Sequence, residues 1–218
     1  MKLLHSLLFI LTTFNAFAQK SDSTHTHFRI IRGGLIEHST ELKSIKNVKN
    51  GISEIKSGKA LLAMGMYKDG NRVGRWRFYK NADSVEQVYN YTTKKLEYNS
   101  TINNILYEID SLKVGDTVVY PAKIGGFYTS LYFLRNKFQP SRDFRAYPGE
   151  HSVFLVFYLD ENGKLTKYET ETGGGNLKKL DIIDLKKMLP VDFEFVPAYV
   201  NGKPVASRLI YSGKLTVN

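Results

Sequence analysis

Five histidines, no cysteine and 21 acidic side chains are the material for chemistry in this 218-residue chain. His25 and His27 stand two apart and would place two imidazoles on one side of an extended segment, as a metal site can use. Such a site needs a third or fourth ligand, and none stands close by in the sequence. The flanking Ser, Thr and His residues read instead as a solvated lead-in, and no metal site is assigned. His151 beside Ser152 is not spaced as a nucleophile with its base, although the partners of a triad need not be neighbours. Asp181 and Asp184 would share one side of a helix, which for carboxylates means solvation. Asp160, Asn162 and Gly163 resemble the opening of a calcium loop, but the glycine comes two residues too early for that loop. The run Gly173, Gly174, Gly175 lacks the Gly-Lys-Ser/Thr ending of a phosphate loop; Asn176 after it suits the cap of a helix. A catalytic site needs a nucleophile, a base and oxyanion donors that converge. The sequence shows no such set, so neither an enzyme nor a cofactor is expected.

Whatever positions these residues must be held by packing alone, because a chain without cysteine has neither disulfides nor thiolate metal sites. The first residues are those of a secretory signal: Lys2, the apolar run Leu3, Leu4, Leu7, Leu8, Phe9, Ile10 and Leu11, then Ala16 and Ala18 as small residues before a cleavage point. The run is too interrupted for the roughly 20 apolar residues of a membrane span. An exported, periplasmic protein with residues 1–18 removed is the expectation. The formal net charge of +10 draws such a protein toward acidic partners or lipid headgroups. Export and the lack of a basic, aromatic-interleaved helix argue against nucleic acid. Residues 19–46 read as an irregular lead-in, residues 47–114 as a hairpin region with its linker, and residues 115–218 as a second domain.

Asp69-Gly70 is a tight-turn dipeptide between two short runs rich in aromatic residues, so residues 64–79 should form a β-hairpin. Gly65 and Gly74 flank the turn where a missing side chain admits a neighbouring ring, and Tyr67, Trp76 and Phe78 would supply the packing. The Gly-aromatic pair, the Asp-Gly turn and the Gly-Arg-Trp-Arg-Phe-Tyr run resemble the MORN-variant repeat. That resemblance implies a structural or interaction unit, with Arg72, Arg75 and Arg77 as a basic row able to meet lipid or another anionic surface.

Downstream, residues 127–138 carry Leu131, Leu134 and Phe138 at helical spacing, stopped by Pro140. Residues 152–159 form a strand apolar on both faces, with Val153, Leu155, Phe157 and Leu159 opposite Phe154, Val156 and Tyr158; both faces should therefore be covered. The Asn162-Gly163 turn returns the chain, Leu177, Leu180, Ile183 and Met188 suggest a second helix ended by Pro190, and a hairpin about Asn201-Gly202 closes the molecule. Five pieces in this order resemble the C-terminal domain of TonB: Pro121 with Ile124-Gly125-Gly126, the helix before Pro140, the turn with Asp160 and Asn162-Gly163, the helix after Asn176, and Pro197-Ala198 with Asn201-Gly202-Lys203-Pro204-Val205. The expected fold class is α+β, a small antiparallel MORN-like sheet followed by two helices on an antiparallel sheet. The resemblance implies a non-enzymatic envelope module whose last strand, Ala206, Ser207, Arg208, Leu209, Ile210 and Tyr211, is a free edge that accepts a peptide as an added strand. Its partner would be a protein or peptide of the envelope, such as an outer-membrane transporter. A homodimer, an energy-transducing component and a lipid-associated scaffold stand as alternatives.

Overall fold

The computed structural model describes residues 24–81, 84–100, 103–110, 112–174 and 177–218. The signal-peptide reading of residues 1–18 and the cap reading of Asn176 lie outside the described residues.

Seven strands form a meander in which each pairs antiparallel with its sequence neighbour: β1 (Thr24–Ile30), β2 (Ile36–Leu42), β3 (Lys49–Ser57), β4 (Ala60–Lys68), β5 (Asn71–Asn81), β6 (Ser84–Asn90) and β7 (Lys95–Asn99). The β4–β5 hairpin turns at Asp69 and Gly70, whose φ of 50° and 80° are those of the two-residue turn that matches strand twist. Across it Gly65 lies flat under Trp76: a Cβ there would come within 2.3 Å of the indole. A Cβ at Gly74 would meet nothing; its φ of 60°, in the left-handed region, is what favours glycine there. Trp76 is fully buried with Tyr67, Phe78 and Tyr89.

The second half builds a five-stranded antiparallel sheet from β8 (Ile105–Glu108), β11 (Gly149–Leu159), β12 (Leu165–Gly174), β13 (Leu177–Ile182) and β17 (Ser207–Val217), in the order β13-β12-β11-β17-β8. Short ladders complete it: β9 (Val118–Val119) joins β15 (Ala198–Val200) and β16 (Lys203–Val205), and β10 (Ala122–Lys123) joins β14 (Phe195–Val196). One helical segment lies on the inner face, a π turn over Phe127–Leu131 running into α1 (Tyr132–Arg135). Leu131 and Leu134 are buried there against Val153, Leu155, Phe157, Tyr168 and Leu209. The closing hairpin forms as the sequence suggests, with Asn201 and Gly202 at φ 52° and 77°.

The α+β expectation is overturned. Strand accounts for 58% of the described residues and helix for 13%, which excludes a domain of two helices on a sheet. The segment from Leu177, expected as the second helix, is instead β13, paired residue by residue with β12 from Gly174↔Leu177 to Glu169↔Ile182. Its apolar residues are too scattered to bury as a single helical stripe, whereas a strand gains a ladder along the β12 edge. Leu180 and Ile182 remain exposed as a result. Two boundaries also move. Residues 24–42 are ordered as β1 and β2 rather than an irregular lead-in, and β8, expected within the linker, belongs to the second sheet through its pairing with β17.

The two sheets share a core. Ile124 and Phe133 from the second half pack into the cluster around Trp76, and Gly33 approaches so closely that a Cβ would lie 2.4 Å from the Phe133 ring.

Candidate functional site

The expected peptide-accepting edge is not an edge where the sequence placed it. β17 runs between two partners: β11 pairs with its whole length, and β8 covers Arg208, Leu209, Ile210 and Tyr211 opposite Glu108, Tyr107, Leu106 and Ile105. Ser207 opposes Leu159 of β11, and Ala206 precedes the strand. The reason is β8, a strand made from residues that read as linker, which seals the receiving side with the chain's own backbone.

The β8 ladder ends at Tyr211. The Ser212 N–H still donates to the Asn104 carbonyl at 2.8 Å, so the backbone groups of Ser212 point away from β11. Alternation along a strand turns those of Lys214 and Thr216 the same way. Among the described residues no backbone partner meets these two positions. Here the inner face of the sheet also opens into a groove of about 790 Å³, with Val153, Leu155, Tyr211, Gly213 and Leu215 on the sheet side and Arg135, Asn136, Phe138 and Pro140 on the other. Gly213 leaves the groove wall bare: a Cβ at this position would make only ordinary contacts, 3.7 Å from Tyr211 and 4.0 Å from the Val153 carbonyl. Lys214, on the opposite face, pairs with Glu150 at 2.6 Å.

The far wall of the groove is set in place by the first sheet. Gly125 and Gly126 have φ of 111° and 64°, and β6 fixes the turn they make. Gln87 Oε1 accepts from the Gly125 N–H at 2.8 Å, and the Glu86 carboxylate accepts from the Phe127 N–H at 2.9 Å, capping the helical segment. Burial raises the Glu86 pKa, and the Phe127 hydrogen bond offsets part of that rise. At the other end of the segment, the Tyr168 hydroxyl donates to the Leu134 carbonyl at 2.8 Å.

The arginine row is also divided. Arg72 shares strand parity with Trp76 and points inward. Its guanidinium lies 4.5 Å from the centre of the Trp76 ring, donates to the Tyr91 hydroxyl at 2.7 Å and stands 3.8 Å from Glu194. It joins the two halves and is not available to a lipid surface. Arg75 is exposed and engages Glu97; Arg77 is exposed on the same outer face.

The remaining sequence candidates take structural places. His151 is buried on Phe144, with Nε2 2.7 Å from the Tyr147 carbonyl, while Ser152 is exposed, so they form no catalytic pair. Asp160 Oδ1 accepts from the Asn162 and Lys164 amides at 3.0 and 2.8 Å, which makes it a turn former. Asp184 caps the turn at Lys186. His25 and His27, read as a solvated tail, lie on β1, where the register sets Glu41 of β2 opposite His25. That third side chain is sixteen positions along the chain, and only the hairpin pairing could have shown it.

No family model, no curated protein and no solved structure matches this chain. The functional reading therefore rests on residues and geometry. Two features of the second half bear on it: the groove beside the open end of β17, and an outer sheet face on which Leu106, Leu180 and Ile182 are exposed and Phe154, Val156 and Ile210 only half covered. The expectation of cover on both faces of β11 is not met on that outer side, where Phe154 and Val156 stay half covered.

Proposed function

We infer that this protein is a non-enzymatic binding module that receives an extended peptide at the open end of β17. The observation that carries the reading is the coincidence of two things strand addition needs: edge groups at Lys214 and Thr216 with no backbone partner among the described residues, and a groove of mixed apolar and polar lining flush with them for alternate side chains of the incoming strand. The net charge of +10 favours a partner with acidic residues. An envelope protein such as an outer-membrane transporter is the partner proposed, with residues 212–217 as the receiving edge in place of residues 206–211. Export behind residues 1–18 belongs to the same proposal.

The test is amide exchange on the purified chain with an extended peptide from the periplasmic face of an outer-membrane transporter. Protection should appear at Lys214 and Thr216 and not at residues 208–211, whose partners are already present. Two variants sharpen it. Thr216→Pro removes an edge-facing N–H that β11 does not use, a placement proline tolerates, and should weaken binding at least about tenfold, the loss of one to two hydrogen bonds. Gly213→Leu should fill the groove and abolish binding with the fold intact. Peptide binding that is indifferent to both variants, or exchange unchanged along residues 212–217, defeats the reading.

A further inference from the structure

We propose that His25, His27 and Glu41 bind one transition-metal cation of the Zn²⁺ class at the outer end of the first sheet. β1 presents its odd-numbered side chains to one face, so both imidazoles stand together, their ring centres 6.1 Å apart and nearly perpendicular. Pairing of β1 with β2 sets Glu41 directly across from His25. A donor atom from each of the three lies within 4.8 Å of the others. A tetrahedral ion with bonds of ~2.0–2.1 Å wants its donors ~3.3 Å apart, a difference that side-chain rotation on an exposed strand can close. Two imidazoles and one carboxylate are a set that zinc and its neighbours accept and that magnesium and calcium, which take oxygen ligands, do not favour. The fourth position is left to water.

The carboxylate is the fixed member. Glu41 is buried, its Oε1 accepting from the Ser39 hydroxyl at 3.1 Å. Buried ligands oriented by a second hydrogen bond are how proteins hold metal sites in place. Arg29, on the same face of β1, also reaches Glu41 at 2.8 Å and Asn47 at 3.1 Å. Its positive charge opposes the cation, so the site is held below full strength by its own neighbour. Binding would clip the most exposed strand of the sheet, β1, to the buried row of β2.

Calorimetric titration of ZnCl₂ into the untagged, metal-free chain reads the site. One equivalent should bind, with MgCl₂ giving no competition. His25→Ala and His27→Ala should each weaken binding by at least about tenfold, while Arg29→Gln, which frees the carboxylate, should tighten it. Glu41→Gln should weaken it as the histidine variants do. Because Glu41 is buried, circular dichroism of each metal-free variant checks its fold, and the exposed His25→Ala keeps the test decisive if Glu41→Gln unfolds. Stoichiometry above one, magnesium competing on equal terms, histidine variants within twofold of the parent, or weaker binding in Arg29→Gln would each overturn the site.

Discussion

Lys123 carries a charge into a buried setting. Its ammonium is buried on β10 and donates to three carbonyls, of Ile124 at 3.2 Å, Val191 at 2.9 Å and Glu194 at 2.8 Å. Burial pushes its pKa down to about 7, against the attraction of Glu194 and Asp192. An unfolded lysine keeps its proton to a pH of ~10.4. Between about 7 and that value the unfolded chain therefore binds the proton that the folded chain has lost, and stability rises with pH. Below the folded value both states are charged and the penalty of the buried charge is constant. Urea denaturation from pH 7 to 9 should show stability climbing by up to about 1.4 kcal/mol per pH unit. Lys123→Met should remove that slope, whatever the loss of three hydrogen bonds does to its absolute stability. A slope identical in the variant would place the titration elsewhere.

Among elements, the β4–β5 hairpin was the most legible in the sequence because its determinants are local. The turn dipeptide sits at positive φ, and the glycine–indole contact lies between paired strands. Gly65→Ala should drive a methyl into the Trp76 ring, which is fully buried and has nowhere to move. A cost of about 1–3 kcal/mol is expected, read as a lowered urea midpoint. Arg72 was also decidable by parity, since it falls on the Trp76 face while Arg75 and Arg77 fall on the other. What could not be read depended on distant pairing. β8 was hidden because Ile105, Leu106 and Tyr107 are apolar in the way of any docked linker, and only the partner β17 makes them a strand. β13 is ambiguous in the sequence because Leu177, Leu180 and Ile183 recur at helical spacing while Ile182, Leu185 and Leu189 blur the stripe; the free edge of β12 decides for a strand. The metal candidate failed at sequence level for the same reason, since Glu41 meets His25 only through the β1–β2 register.

At the scale of the molecule, the two sheets are tied closely enough to behave as one folding unit. Arg32, from the link between β1 and β2, reaches across to Asp192 at 2.5 Å and to the Phe133 carbonyl at 3.2 Å, with its guanidinium 4.7 Å from the centre of the Phe133 ring. Phe133 itself stands on α1 of the second half yet is buried in the Trp76 cluster of the first. Arg72 and Tyr91 meet Glu194 from the opposite direction. Removing the partner of a buried carboxylate such as Asp192 would leave an uncompensated charge, so neither half can separate without cost. Trp76 is the one tryptophan of the chain, and its fluorescence reports on the first sheet and on the cluster that sheet shares with Ile124 and Phe133. Phe157→Ala, a truncation in the core of the second sheet away from the Trp76 cluster, should lower stability by about 3–5 kcal/mol. In a single cooperative unit the fluorescence midpoint and the far-ultraviolet dichroism midpoint should fall together. If the indole transition stays in place while the dichroism transition moves, the halves unfold independently. The groove beside β17, whose far wall is capped by Glu86 and Gln87 of the first sheet, would then lose its support whenever the two halves part.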